Sequence, residues 1–492
     1  MGRIEGTDRD QLQLMSYESF IGEEDIVRVI DRFVEVCDLE KMGFHKMKPA
    51  QTGRPSYPPE ALAKLYVYGY ENGIRSLRKL EKETLRNIEV MWLINNLQPD
   101  YKTISEFRRQ NLRPLQKLFR EFVRLCKSWD LIGGELIAVD GTKMKASNNK
   151  KMNFSRKKLN DKIQRIDEQI NQYLADIEEA DKRETAPKAV APKNVDELLK
   201  RKELYESYIA QLNETGGNEI SQIDPDARLM GNNRGGVEVA YNVQSAVDSK
   251  NHIIVDYDVS LNPDDHGQLG SMVKKVKKGL KLSRFVVVAD KGYYQGEDLL
   301  RVKKLKVTSI VSRQNPPDPK DQPKDFHSEK FTYNEKEDNY ICPTGKTLYP
   351  HSKKTAPRRR YYNKTACSNC EYRDICARGE RGFRAVIRGQ YATIYEETDK
   401  RTRENMELYR RRQQIVEHPF GTVKHTMHGY YFLLRTRRKV RTEVALFFLG
   451  YNLKRVYNVL GFSEIMARLD AVSHCLFCSL MQINILKPER AA

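Results

Sequence analysis

The sequence contains no apolar run long enough to span a bilayer, and residues 1–20 lack the apolar core of a secretory signal. From these absences the chain is expected to be neither an integral membrane protein nor a classical export substrate, but cytoplasmic. In that reducing compartment the eight cysteines are expected as thiols or metal ligands, not disulfides. Acid is also in short supply: 67 Asp and Glu face 86 Lys and Arg, a formal charge of +19. Such an excess favours an anionic partner, nucleic acid ahead of membrane, over a merely soluble basic surface. The charge is clustered, which supports the first reading. Arg435, Arg437 and Arg438 run into Lys439 and Arg441, and another run ends at Arg360.

At 492 residues the chain can hold two or more domains. Residues 1–20 read as a flexible tail and 21–132 as a basic, all-helical domain. Ile26, Val29, Ile30, Phe33 and Val34 recur at helical spacing, and Pro58-Pro59 opens a further helix. Ser76 is placed to cap the next one. Thr103 with Glu106 forms a capping-box pattern ahead of a long helix through Cys126. Short helices separated by glycines suit a helix-turn-helix-like DNA-binding domain, or a helical scaffold without groove contacts.

From 133 to 460 the pattern becomes α/β. The stretch Leu136–Val139 is an apolar strand ending on Asp140. A heptad-like seam from Leu159 to Ile177, broken by Pro187 and Pro192, gives a helical hairpin over 150–215. Val237–Val243 and Ile253–Val259 alternate across a polar turn as a hairpin. Asp256 and Asp258, on the opposite parity, read as solvent-facing and structural. A helix, the apolar strand before Asp290, another helix and the strand "VTSIVSR" complete an α/β layer with a mixed sheet. A proline-rich linker opens a cysteine-containing insertion over 315–395. Helices resume beyond Thr398, and 461–492 reads as a C-terminal tail.

Asp140 and Asp290 share a context. Each ends an apolar strand and has cations close behind, Lys143 and Lys291. Acids at the carboxyl ends of strands sit where α/β folds build sites. A pair of them can hold divalent ions that activate a nucleophile and steady a leaving oxygen in phosphoryl transfer. Mg²⁺ (or Mn²⁺) suits carboxylate and phosphate oxygens. Glu417, in "VEHPFGTVKH", is the candidate third acid. Pro419 disfavours helical geometry just before it, so a kink or restart is expected near His418.

"VDGTKMKA", "VVADKGYY" and "VEHPFGTVKH", together with "YPPEALAKLYVYGYENGIRSLRKLEKETLRNIEVMWL" and "PDYKTISEFRR", resemble the bacterial insertion-sequence transposases of the DDE type. The resemblance covers nearly the whole chain. It implies a ribonuclease H-like catalytic core after an all-helical N-terminal domain, with Asp140, Asp290 and Glu417 as metal-binding catalytic acids. It further implies double-stranded DNA as partner, both the inverted-repeat ends of an element and its target, and a homodimer on those ends in a nucleoid-associated, bacterial setting. The expected chemistry is metal-dependent strand cleavage followed by strand transfer. A nuclease on the same core, or an inactive DNA-binding derivative, are the rival readings. The family's Tyr, Glu and Lys signature is assigned to Tyr409, Glu417 and Lys424. Gln413 stands at the arginine position, with Arg412 one residue early. Lys424, Tyr409, Lys143, Lys291, Arg435, Arg437 and Arg438 are the expected DNA contacts.

Cys367 and Cys370 have metal-ligand spacing, with Cys376 close behind and Cys342 in "CPTG". Four thiolates make a closed structural zinc site, and a small insert with little core gains from such a staple. Reduced structural cysteines are the alternative. Cys37 and Cys126 fall in helical seams and read as core, and Cys475 and Cys478 read as packing.

Overall fold

The computed structural model describes residues 10, 12, 14–47, 55–182, 192–231, 235–313, 324–353, 355–377 and 381–485, with side chains described only to 474 in the last stretch. Most of the expected tail before residue 14 therefore lies outside the described residues, as do Pro187 and the side chains of Cys475 and Cys478. The chain divides into two compact units: Met1–Gly133, Asp140–Asp264 and Ile415–Ala492 form the first, and Gly134–Val139 with Asp265–Gln414 form the second. Among the described residues no helix is long and apolar enough to cross a membrane.

The first unit begins with helices. Asp25 caps Ile26–Glu35 by accepting the Val27 N–H at 2.9 Å, and the predicted apolar face of Val29, Ile30, Phe33 and Val34 is buried. Pro59 opens the helix to Glu71. Its turn needs Gly73, whose φ is +69° and whose absent Cβ would lie 3.1 Å from the His428 ring. The expected capping box is not formed. Asp100 is the cap instead, accepting the Thr103 N–H at 2.7 Å, so Thr103 lies inside the helix Tyr101–Gln110. Glu106 turns outward to Arg109. The single long helix expected here is two, because Asn111 interrupts it before Leu112–Ser128. The buried Asn111 amide accepts from the His45 N–H and donates to the Phe107 carbonyl, both at 2.8 Å.

Strand β1 (Leu136–Lys145) is common to both units. A small ribbon of β2 (Asn153–Ser155) and β3 (Glu219–Ser221) carries the expected helical hairpin, Arg156–Lys182 and Pro192–Thr215. Its base packs around Phe154, Leu159 and Leu212; Leu174, in the predicted seam, is 53% exposed. Next come β4 (Arg228–Gly231), β5 (Val237–Asp248) and β6 (Ile254–Ser260). β5 pairs antiparallel with β4 along Val237–Ala240 and with β6 along Asn242–Val247. The helix Arg437–Leu460 is buried along most of its length. Its Asn452 amide completes β6, accepting the Ile254 N–H at 3.0 Å and donating to the Ile254 carbonyl at 2.8 Å.

In the second unit Leu136–Val139 of β1 pairs parallel with β7 (Val286–Ala289), and β7 pairs parallel with β8 (Thr308–Val311). The strand order is therefore β6-β5-β1 on one side and β1-β7-β8 on the other. The sheet is mixed, antiparallel where β5 meets β4 and β6 and parallel where β7 meets β1 and β8. Beyond it lies an antiparallel sheet ordered β13-β12-β11-β10-β9, built from Thr332–Asn334 (β9), Asn339–Ile341 (β10), Thr347–Pro350 (β11), Arg358–Tyr362 (β12) and Ala385–Gly389 (β13).

One face of that sheet buries Phe331, Tyr340, Leu348, Tyr361 and Val386. Asp338 ties it together, accepting from both terminal nitrogens of Arg359 at 2.8 and 2.6 Å and from the hydroxyls of Tyr333 and Tyr361 at 2.8 Å each. The Arg359 guanidinium, helped by the two hydroxyls, holds the Asp338 carboxyl well below the usual carboxylate range. A depressed native value stabilises above the unfolded pKa of about 3.9, and that contribution is lost as pH falls through the native value. Asp338→Asn should therefore speed amide exchange in β10 and β12 at neutral pH, with the gap to the parent protein closing in acid. Unchanged exchange at neutral pH would show that this cluster does not hold the sheet.

Candidate active site and basic loop

The two acids follow paired residues, but only Asp290 ends its strand; β1 was expected to stop at Asp140 and instead runs on to Lys145. Val139 is the β1 partner of Ala289 in β7, and Asp140 and Asp290 come directly after them. Each is half-buried. Asp140 accepts the Gly141 N–H at 2.9 Å, and Asp290 accepts the Lys291 N–H. A neighbouring backbone N–H on one oxygen fixes the carboxylate rotamer, and the oxygen donor set suits a hard divalent ion.

Glu417 and Lys424 lie in the first unit with Asp140. Lys424 is half-buried, and its Nζ donates to the Thr142 hydroxyl at 2.5 Å. Burial lowers the ammonium pKa, while Asp140 opposes that shift. A cation is thus brought against β1, at the residue two beyond Asp140. Thr142 was not among the expected site residues; a hydroxyl directly after Asp140 and Gly141 was the only sequence signal. Tyr409 lies in the second unit with Asp290. Burial raises its phenol pKa, and Asp290 adds to that rise.

The helix carrying Glu417 runs unbroken from Met406 to Gly421 with Pro419 inside it, so the expected restart at His418 does not occur. The irregularity falls later, as a π-helical turn at Thr422–Thr426 that contains Lys424. Such turns are common at functional positions. Glu417 is exposed. Counted back from Glu417, Tyr409 as well as Arg412 stands one residue early. The two keep their own three-residue step, with the Arg412 guanidinium 5.9 Å from the Tyr409 ring.

The basic loop after Lys424 is shaped by buried acids. Glu443 is fully buried and accepts from the N–H groups of Leu433 (3.1 Å) and Leu434 (3.0 Å) and from Arg75 (3.3 Å). Arg75, 5% exposed, also donates to the Tyr431 carbonyl at 2.6 Å and the His428 carbonyl at 2.7 Å. Burial pushes the Glu443 pKa up, and these donors pull it back. Asp224, also fully buried, accepts the Thr436 N–H at 3.1 Å and the Tyr241 hydroxyl, and Asp226 accepts the Arg437 N–H at 2.8 Å. Thr436 is held at φ +73°. None of these anchors was expected, although a lone acid within the apolar run "VRTEVALFF" was a readable sign of a paired buried charge.

This frame sorts the expected DNA contacts. Arg435 and Arg438 are exposed, as are Lys143 and Lys291. Arg437 is not: its Nε donates to the Val259 carbonyl at 2.6 Å, and its guanidinium lies 3.5 Å from Asp258, with Arg441 at 3.7 Å. Asp258 is accordingly not solvent-facing as read from alternation; the helix that packs on β6 brings two arginines over it. Lys143 spends one donor on the Gly231 carbonyl, at 2.8 Å.

In the second unit Cys342, Cys367, Cys370 and Cys376 line one cavity of about 30 Å³, with Phe331 and Leu348 behind them. That volume admits an ion and little else. The Cys342 sulfur receives the Lys346 N–H at 3.3 Å and lies 3.1 Å from the Thr344 hydroxyl. Burial raises the Cys376 thiol pKa, and the other three cysteines add to that rise. The soft donor set fits zinc. Among the described residues no three His, Cys, Asp or Glu side chains stand as a ready-made metal cage, here or at the strand ends. Cys37 and Cys126 are buried core thiols, as expected.

The transposase domain family (DUF772) matches residues 15–110, and the transposase DDE domain family matches residues 341–457. The chain carries a transposase domain and a transposase DDE domain. Its class hydrolyses and transesterifies phosphodiesters with a divalent metal. The DDE match takes in the four cysteines, Glu417, Lys424 and the basic loop. No curated protein matches the chain. A solved piggyBac transposase synaptic complex with hairpin DNA is similar at 10% identity and a TM-score of 0.30, over 94% of this chain and 82% of that one; a likeness that weak carries no argument about this transposase.

Breaking the buried pair in the basic-loop frame should be costly. Glu443→Leu should destabilise the transposase by about 3–5 kcal/mol, since it leaves Arg75 buried without its charge partner and two peptide N–H groups unmet. Arg75→Met should cost less. Denaturant midpoints test this; negligible losses from both replacements would mean that the pair does not organise the loop.

Proposed function

We propose that this transposase binds the inverted-repeat ends of an insertion sequence, cleaves a strand with Mg²⁺ (or Mn²⁺), and joins the freed 3′-hydroxyl to target DNA. The observation that carries this reading is the pairing of Val139 with Ala289, each followed by an acid, in a chain whose DDE match includes Glu417. In this reading Asp140, Asp290 and Glu417 hold the metal. The bound ion supplies a Lewis acid that lowers the pKa of water and steadies the leaving oxygen. The residues of the chain do the positioning. Thr142 orients Lys424, whose ammonium offsets phosphate charge beside the acids. Arg435 and Arg438, on the loop fixed by Glu443 and Asp224, extend that charge along the backbone, and Lys291 and Tyr409 add contacts near Asp290. The proposed working form is a homodimer on paired ends in the bacterial cytoplasm.

Replacing any one of Asp140, Asp290 or Glu417 with Ala should abolish Mg²⁺-dependent cleavage of an end-containing duplex while mobility-shift affinity stays within a few-fold of the parent. A variant that still cuts would remove that residue from the assignment. Products joined to a target separate this reading from the nuclease alternative; cleavage alone with every end and target supplied would favour the nuclease.

The four cysteines are proposed to bind one structural zinc, which would close the cavity and brace the β9–β13 sheet. Purified protein should carry about one zinc per chain, and Cys370→Ser should lose it and the folded signal of that sheet together. Zinc-free protein with an intact sheet would leave the cysteines as reduced thiols.

A further inference from the structure

The β9–β13 sheet has a second face. Arg359 and Tyr361 of β12 point into the buried side, so Arg358, Arg360 and Tyr362 point away from it. The register places Ile387 opposite Arg360, and Tyr349 opposite Tyr362. Tyr349 is 54% exposed and Ile387 57%, and Arg358 and Arg360 are exposed. Beside them His351 lies on Tyr362 with ring centroids 3.6 Å apart and 12° between planes. Tyr362 in turn lies against Phe383 at 4.7 Å and 35°. The result is a short column of rings ending on exposed His351, with Lys364 Nζ 5.5 Å from the Phe383 ring. The face from β11 to β13 is formed by Thr347, Tyr349, Arg358, Arg360, Tyr362, Ala385, Ile387 and Gly389, and none of these is acidic.

Exposed aromatic faces between arginines, on a sheet face whose strand residues include no acid, match one class of partner. A duplex presents phosphates but hides the faces of its bases. An unpaired strand presents both, so its bases can stack on rings while arginines take the phosphates. We propose that the outer face of the β11–β13 sheet binds an unpaired DNA strand, with Tyr349 and the His351 end of the ring column as stacking platforms and Arg358 and Arg360 as phosphate contacts. This rests on the DNA-processing reading above and gives the transposase a surface for strands exposed when duplex ends are opened.

Fluorescence anisotropy with the full chain tests it, using labelled oligothymidylate and a random-sequence duplex of equal length. Tyr349→Ala with His351→Ala should weaken single-strand binding by about tenfold or more, the effect of losing one or two stacked bases. Duplex affinity should stay within twofold. Arg358→Ala with Arg360→Ala should weaken binding to the single strand and flatten its salt dependence by about 0.7 for each phosphate no longer neutralised. Unchanged circular dichroism in both variants would confirm that the fold survives. Equal losses on the two probes from the ring variant, or no loss on the single strand, would overturn the proposal. Metal-dependent cleavage of an end-containing duplex is read separately, so failure of the strand face and failure of the catalytic reading give different results.

Discussion

A fully buried carboxylate, Glu443, sets the conditions for much of the first unit. Taking such a charge out of water costs several kcal/mol unless the interior repays it with donors. Here the repayment comes from two consecutive peptide N–H groups and one guanidinium. Because Arg75 spends its other donors on the carbonyls of His428 and Tyr431, one ion pair fixes the chain path from the N-terminal helices to the stretch after Lys424. Arg75 also lies over the Tyr431 and Phe447 rings, at 4.6 and 5.2 Å, which suits a planar cation better than lysine. Loop conformation, helix packing and the presentation of Arg435 all trace back to this charge.

The cations of this transposase therefore fall into two populations. Arg75, Arg359, Arg388 and Arg437 neutralise internal acids or carbonyls and hold elements in place. Arg358, Arg360, Arg435 and Arg438 are exposed. Net charge alone could not separate the two. The distinction matters because a guanidinium engaged by a neighbouring carboxylate has little field left for a phosphate, whereas an exposed one keeps its donors for it, at a cost of about 0.5–1.5 kcal/mol to order the side chain.

Much of this was legible in the sequence. The helical faces of the N-terminal region, the β5–β6 hairpin and Asp290 at the end of β7 followed from period and position, because burial on one side imposes a repeat; β1, expected to stop at Asp140, runs on to Lys145. The misreadings have physical causes. Asn111 breaks a helix by bonding to its own turn and to His45, a tertiary contact that helical spacing does not encode. Pro419 was expected to restart a helix that in fact runs through it, since packing on Ile415, Val416 and Phe420 outweighs the one hydrogen bond that proline removes. The β9–β13 sheet was invisible because its strands are three to five residues long and rich in arginine and tyrosine, so they read as basic coil. The Lys424–Thr142 contact joins residues 282 positions apart and has no local signature.

Asn452 has a consequence of a different kind. A strand edge with bare N–H and C=O groups is a template on which another strand can add. At Ile254 the side-chain amide of Asn452 occupies both groups, imitating the backbone of a strand that is not there. An amide offers a donor and an acceptor but no continuation, so pairing stops at that residue. Copies of this protein crowded together have no register in which to zip through Ile254, and growth of a shared sheet from that point is blocked by two hydrogen bonds.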